Sequence, residues 1–427
     1  MTLPILLFSL VAACFPSAAG AAEPFANPQP GRIFKFPADH GAHPDFKTEW
    51  WYWVGHLKSP EGEAFGYQIT FFRAALRRPD PPARSAWSLN TVYFAHLAVT
   101  DPARGRFRFR EKVGRGALGL SGATAGRLRV WIDDWQARQA GEGFHLQAGD
   151  QGLGLDLLLT PLKPPALHGE GGFTPKAAHY EAASYYYSIP RLESLGHLFL
   201  DGRTLEVSGA GWMDHEFFSS SMAPGQVGWD WFAIQLEDGS EVMLYLLRLR
   251  DGSLDPASAG TLVDPQGRTR HLKLADFQVK ASGVWKSPHS GAAYPAGWQV
   301  LIPGAGLELT LTPTLADQEI RAGVPARVSY WEARCRSRAE PDRGRSAAWA
   351  TWSSPATPAP WREGFKRFKV QSSKSKAQFE RLLVTPAAIL SGRLQSNRNR
   401  PMAQPDSPSP CASIWVPTSA HFRPSAQ

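Results

Sequence analysis

An all-β chain, folded into antiparallel barrels or sandwiches, is what three observations in this sequence predict. The first is short-range alternation. Phe65, Tyr67, Ile69 and Phe71 alternate with Gly66, Gln68 and Thr70; Leu153, Leu155 and Leu157 repeat the pattern, and Leu307-Glu308-Leu309-Thr310-Leu311 keeps it strictly. That is the two-residue period of a half-buried strand. The second is punctuation by turn pairs, namely Glu61-Gly62, Asp201-Gly202, Asp238-Gly239 and Asp251-Gly252, which suit tight hairpins. The third is that no stretch carries the 3.6-residue period of a long amphipathic helix. Many hairpin-linked strands at short spacing close into barrels or sandwiches. A barrel of about eight strands leaves an interior just wide enough for one small ligand.

Each element follows from length and composition. The chain has 427 residues, 43% of them hydrophobic, enough for two or three packed cores. A boundary is expected in Ser219–Val227, which is rich in Ser, Pro and Gly. This gives one barrel over 23–222 and a shorter one over 223–332. Both halves open with a Trp-rich strand, Trp50-Trp51-Tyr52-Trp53 and Trp229-Asp230-Trp231-Phe232.

Residues 1–22 read as an export signal: the apolar run Leu3–Ala13 is too short to span a bilayer, and small residues follow to Ala22. Val11-Ala12-Ala13-Cys14 also fits a bacterial lipobox, with Cys14 lipidated. A periplasmic or secreted location is expected, lipid-anchored in the second case. The other cysteines are Cys335 and Cys411, so residues 23–332 hold no disulfide framework, Cys metal site or Cys nucleophile.

The net charge of +8 belongs to the tail. Residues 333–427 hold 16 Lys+Arg against 5 Asp+Glu, leaving 30 against 33 in residues 1–332. Nucleic-acid or anionic-membrane binding by the folded body therefore has no support in charge. After Ser329-Tyr330-Trp331-Glu332 the sequence turns rich in Arg, Ser and Pro without period, which reads as a disordered extension. Back-translation offers a second reading. Out of frame, the codons of Trp349–Trp361 permit G-H-V-E-L-T-G-Y-A-G-T-M, a strand-like string, so residues 333–427 are either disordered or the product of a frameshift.

The stretch His43-Pro44-Asp45-Phe46-Lys47-Thr48-Glu49-Trp50-Trp51-Tyr52 resembles the AttH/CrtC family, which contains the bacterial carotenoid 1,2-hydratases. Further blocks resemble it in order: Gly55-His56-Leu57, Tyr67–Arg73, Phe94-Ala95-His96, Tyr186–Leu192, Gly211–Phe217 and Gly228-Trp229-Asp230-Trp231. The out-of-frame string is similar to the family's closing segment. The resemblance implies two lipocalin-like domains and, in the carotenoid members, addition of water to a terminal polyene double bond. Fold transfers across such a family better than reaction does.

Hydrating an unactivated alkene needs a strong proton donor, aromatic faces for the cation and a placed water. A carboxyl in an apolar pocket suits the first need, because burial keeps it protonated. Aromatic rings suit the second. Asp214 is the candidate acid, in the block resembling the hydratase acid region, and His215 the candidate for positioning or deprotonating the water. Trp212, Phe217, Tyr186, Tyr187, Trp51, Trp229 and Trp231 are the candidate lining of a hydrophobic ligand's slot. The sequence departs from the hydratases' Tyr-x-Asp, since Trp212-Met213-Asp214 follows Tyr185-Tyr186-Tyr187.

The competing assignment for Asp214-His215-Glu216 is a hydrogen-bonded network closing a barrel end or interdomain seam. For Glu49 it is a buried ion pair, with Arg73 as partner. His56 and His96 read as satisfied core residues. His40, His43 and Asp45 lie in an irregular segment without metal-ligand spacing, so no metal is expected, and no cofactor either. Hydrolase, P-loop and dinucleotide motifs are missing from the sequence. Two functions remain: a cofactor-free hydro-lyase on an isoprenoid or lipidic alkene, and a non-catalytic lipid carrier or accessory to an export permease.

Overall fold

The computed structural model describes residues 25–78, 89–177, 182–220, 222–323, 329–339 and 347–355. The signal-like segment with Cys14, and the chain beyond Pro355 with Cys411, lie outside them. Among the described residues no helix is long and apolar enough to cross a membrane.

The first sheet opens with β1 (Thr48–Lys58), β2 (Ala64–Ala75), β3 (Thr91–Asp101) and β4 (Arg106–Arg115) as a meander. Shorter strands follow: β5 (Ser121–Ala123), β6 (Arg129–Ile132), β7 (Trp135–Ala140), β8 (Gly143–Asp150) and β9 (Leu153–Pro161). β10 (Ala166–Leu167) and β11 (Phe173–Pro175) pair with β12 (Ala183–Leu200), which continues into β13 (Arg203–Ser220). The order is β4-β3-β2-β1-β13-β12-β9-β8-β7-β6-β5. The sheet curls until its ends approach: a Cβ on Gly114 of β4 would lie 2.6 Å from Ser121 Oγ on β5. Trp51, Trp53, Trp135, Phe65, Phe71 and Phe144 fill its interior.

The second sheet holds β14 (Gln226–Leu236), β15 (Glu241–Leu249), β16 (Ala259–Val263), β17 (Thr269–Lys273) and β18 (Gln278–Ala281). β19 (Val284–Lys286) and β20 (Ala293–Pro295) form a separate hairpin. Next come β21 (Trp298–Ile302), β22 (Leu307–Pro313), β23 (Glu319–Arg321), β24 (Ser329–Ala339) and β25 (Ala347–Pro355). Its order is β17-β16-β15-β14-β25-β24-β22-β21-β18, with β23 on β24. The sheet thus runs past residue 332, where the strand character of the sequence ends. β25 pairs with both β14 and β24, covering backbone groups that would otherwise leave two open edges. Trp352 is fully buried there against Phe232, Trp298 and Trp331.

The sheets meet along β1, β12 and β13 of the first and β14, β15 and β24 of the second. A close approach shapes the first face: a Cβ on Gly209 would lie 1.9 Å from the His56 carbonyl oxygen, so β13 can lie against β1 there only with glycine. Pro190 falls where the β12–β13 register shifts, and the Gln235 amide from β14 donates to the carbonyls of Pro190 and Gly211, each at 2.9 Å. Glu241 of β15, fully buried, binds Lys163 and Arg191 of the first barrel, each at 2.6 Å.

Candidate functional site

Alternation on a strand sends successive side chains to opposite faces, and on β13 this separates the predicted pair. Met213, His215 and Phe217 face the first barrel's interior and mouth, whereas Trp212 joins the cluster between the barrels. Asp214 goes with Trp212 and His215 with Phe217. The two candidate catalytic residues therefore belong to two different sites.

The inner site is an ion network around Glu49, which is fully buried. Arg73 Nε donates to Glu49 Oε2 at 3.0 Å, as expected from the sequence. His43 Nδ1 and His215 Nε2 lie 2.8 and 2.9 Å from Glu49 Oε1. The other nitrogen of His43 faces Asp39 at 3.0 Å, so both its N–H groups meet carboxylates and its pKa is raised by them despite burial. With Nε2 donating to Glu49, His215 Nδ1 accepts from the Tyr187 hydroxyl at 2.9 Å. Trp51 stacks on His215 at 5.0 Å and Phe217 on His43 at 3.6 Å. Burial lowers the pKa of His215, and burial also holds His40 down at about 4.

His43, Glu49 and His215 offer three ligand-type atoms within 4.8 Å of one another. A cation there would have to displace the protons that His43 Nδ1 and His215 Nε2 hold against Glu49 Oε1, beside the Arg73 guanidinium on Oε2. The set considered from sequence does not assemble. His40 turns to Tyr187 at 2.7 Å, and Asp45 pairs with Arg78 at 2.6 Å.

The seam site centres on Asp214, 4% exposed. Trp212 Nε1 donates to its Oδ1 at 2.6 Å, and Ser188 donates to the same oxygen. Tyr186 donates to Oδ2 at 2.7 Å and accepts from Trp231 Nε1 of the second barrel at 2.9 Å. Behind Ser188 stands His168, 2.6 Å from its hydroxyl, with Thr261 of the second barrel 2.8 Å beyond. Burial pushes Asp214 up to about 7, against the three donors that favour its charged form. Tyr52, Trp229 and Tyr245 complete an aromatic layer. Lys176 lies over Tyr245 at 4.1 Å and pairs with Glu216 at 3.0 Å.

Of the residues singled out from sequence, Asp214, Tyr186, Trp212, Trp229 and Trp231 come together at the seam. His215, Tyr187, Phe217 and Trp51 gather at the inner network. Sequence reasoning missed Ser188, His168 and Tyr52. Ser188 carried a usable signal, since two residues after Tyr186 on a strand it shares its face. His168 lies outside any long alternating run and carried none. A larger cavity of about 770 Å³, lined by Arg106, Arg108, Arg110, His289, Asp317 and Glu319 among others, does not include Asp214, and its charged wall does not suit an apolar ligand.

Comparison with known proteins agrees with this architecture. A protein from Nitrosomonas europaea assigned to AttH is 32% identical over 78% of this chain and 99% of its own, with a TM-score of 0.70. Kievitone hydratase from Nectria haematococca shares the fold at 11% identity and a TM-score of 0.60, over 77% of this chain and 94% of its own. No curated protein matches the chain. The AttH-like family profile matches residues 27–348, through both barrels. The chain belongs to the AttH-like family.

Proposed function

We propose that this protein holds an isoprenoid or other lipidic ligand against the inter-barrel seam and adds water across one of its C=C bonds, with Asp214 handling the proton. One observation carries the reading. Asp214 is a buried carboxyl raised to about 7 among Tyr186, Trp212 and Trp231. A group titrating there holds both its acid and its base form near neutrality, as proton transfer requires, and the rings beside it suit a developing carbocation. The 11% identity to kievitone hydratase bears on fold alone. Placement at the cell envelope, through Cys14 lipidation or an export permease, belongs to the same proposal and is supported by the apolar run Leu3–Ala13.

A carrier that binds lipid without turnover is favoured by a different observation, the completeness of Asp214's hydrogen bonds. Incubation with lycopene and neurosporene separates the two. Hydration gives a hydroxylated product whose rate falls at least about 100-fold in Asp214→Asn, the scale of a lost general acid or base. Carotenoid recovered bound and unchanged from the wild type supports the carrier instead.

A further inference from the structure

Glu332 reaches the seam from the second barrel, on β24, and is 4% exposed. Tyr52, which lies opposite Asp214 in the β1–β13 ladder, donates its hydroxyl to Glu332 Oε1 at 2.5 Å. The Tyr52 ring meets Trp231 edge-on at 5.2 Å, and Trp231 connects through Tyr186 to Asp214. One carboxyl from each barrel therefore flanks the same aromatic patch. Glu216, on the Asp214 side, is already neutralised by Lys176.

The two carboxyls have different surroundings. Asp214 receives three donors, from Trp212, Ser188 and Tyr186, and donors of this kind favour the anion. Glu332 receives one, on Oε1. Its Oε2 makes no hydrogen bond of normal geometry, Ser353 being the neighbouring hydroxyl. Among the described residues, Tyr330 and Asp214 are the other titratable groups around it, and neither is a cation. Beside it lies a cavity of about 10 Å³ lined by Glu332, Gln68, Thr100 and Thr351, room for about one water. A buried carboxyl short of donors keeps its proton, and one rich in donors releases it. The titration positions follow the same order, with burial pushing Glu332 up to about 8 and Asp214 to about 7.

We propose that Glu332 is the proton donor of the seam and that Asp214 is the carboxylate that receives the proton released by the adding water. The proposal rests on the hydration reading and divides its work between two residues. Glu332 gives its proton to one alkene carbon, the π pair forming the new C–H bond and leaving a carbocation and the Glu332 carboxylate. A water oxygen forms the C–O bond, and its surplus proton goes to Asp214. Exchange with solvent returns Asp214 and Glu332 to their starting states.

Infrared titration of the full chain tests this without substrate. Between pH 5 and pH 9 the falling band of buried protonated carboxyl groups is expected to include two steps that belong to Asp214 and Glu332. Asp214→Asn removes the lower step and Glu332→Gln the upper. Tyr52→Phe keeps the ring but removes a donor to the Glu332 carboxylate, so it moves the upper step to higher pH and leaves the lower in place. The proposal is overturned if Asp214→Asn removes the upper step, if Tyr52→Phe moves the lower one, or if the wild type shows no protonated carboxyl at pH 6. Two steps assigned as expected, in a protein that leaves lycopene unchanged, would support the proton placement and contradict hydration alone.

Discussion

Asp214 and His215 follow each other in the chain and leave the strand on opposite faces, one toward the second barrel and one into the first. His215 is spent on Glu49 and Tyr187 and takes no part in Asp214's hydrogen bonds to Trp212, Ser188 and Tyr186. The pH consequence belongs to this scale. The folded state holds Asp214 at about 7, above its ordinary 3.8, so burial shifts its balance toward the neutral form while the anion stays accessible near neutrality. Stability from this group is full below the unfolded value and is lost as pH rises through about 7. The displacement corresponds to about 4 kcal/mol. Asp214→Asn is therefore expected to gain stability relative to wild type between pH 5 and pH 9, by about 3 kcal/mol, the part of that loss that falls between pH 5 and about 7. Denaturant melts of both proteins at the two pH values check this. A constant difference would place Asp214 in the ordinary carboxylate range.

Strands explain what was legible in the sequence. Glu49, beside Trp50 and Trp51, could be read as a buried carboxylate needing Arg73, because neighbouring strands supply the partner, and β1 and β2 pair those two residues directly. Tyr186, Trp212 and Asp214 were legible by resemblance, from the blocks Tyr186–Leu192 and Gly211–Phe217, and the ladder of β12 and β13 sets those blocks together, with Tyr186 beside Glu216 and Ser188 beside Asp214. Glu332 and His168 were not, since their burial is made by the opposite barrel and no local pattern records which barrel packs where. The same scale holds the joint at Glu241, whose partners Lys163 and Arg191 come from the first barrel. Removing the carboxylate leaves two cations at a buried joint, so Glu241→Ala is expected to cost about 3–5 kcal/mol. Equilibrium unfolding measures it, and a loss under about 1 kcal/mol would mean that the cations reach solvent.

The molecule as a whole is two barrels joined through an aromatic and ionic face, and that face rather than either barrel's interior carries the candidate chemistry. The sequence supplied the barrels, through alternation and turns, but ended the second at 332. The missing signal was tertiary: β24 and β25 are recruited by the open edges of β14 and β22, which a one-dimensional pattern does not show. Because the seam draws on both barrels, neither half alone can assemble it. The proposed addition of water to an alkene at the seam is read directly by isotope labelling. Lycopene incubated with the full chain in ¹⁸O-water is expected to yield a hydroxylated product carrying the heavy oxygen on its new alcohol carbon. Recovery of lycopene alone, or of a hydroxylated product without the label, would contradict it.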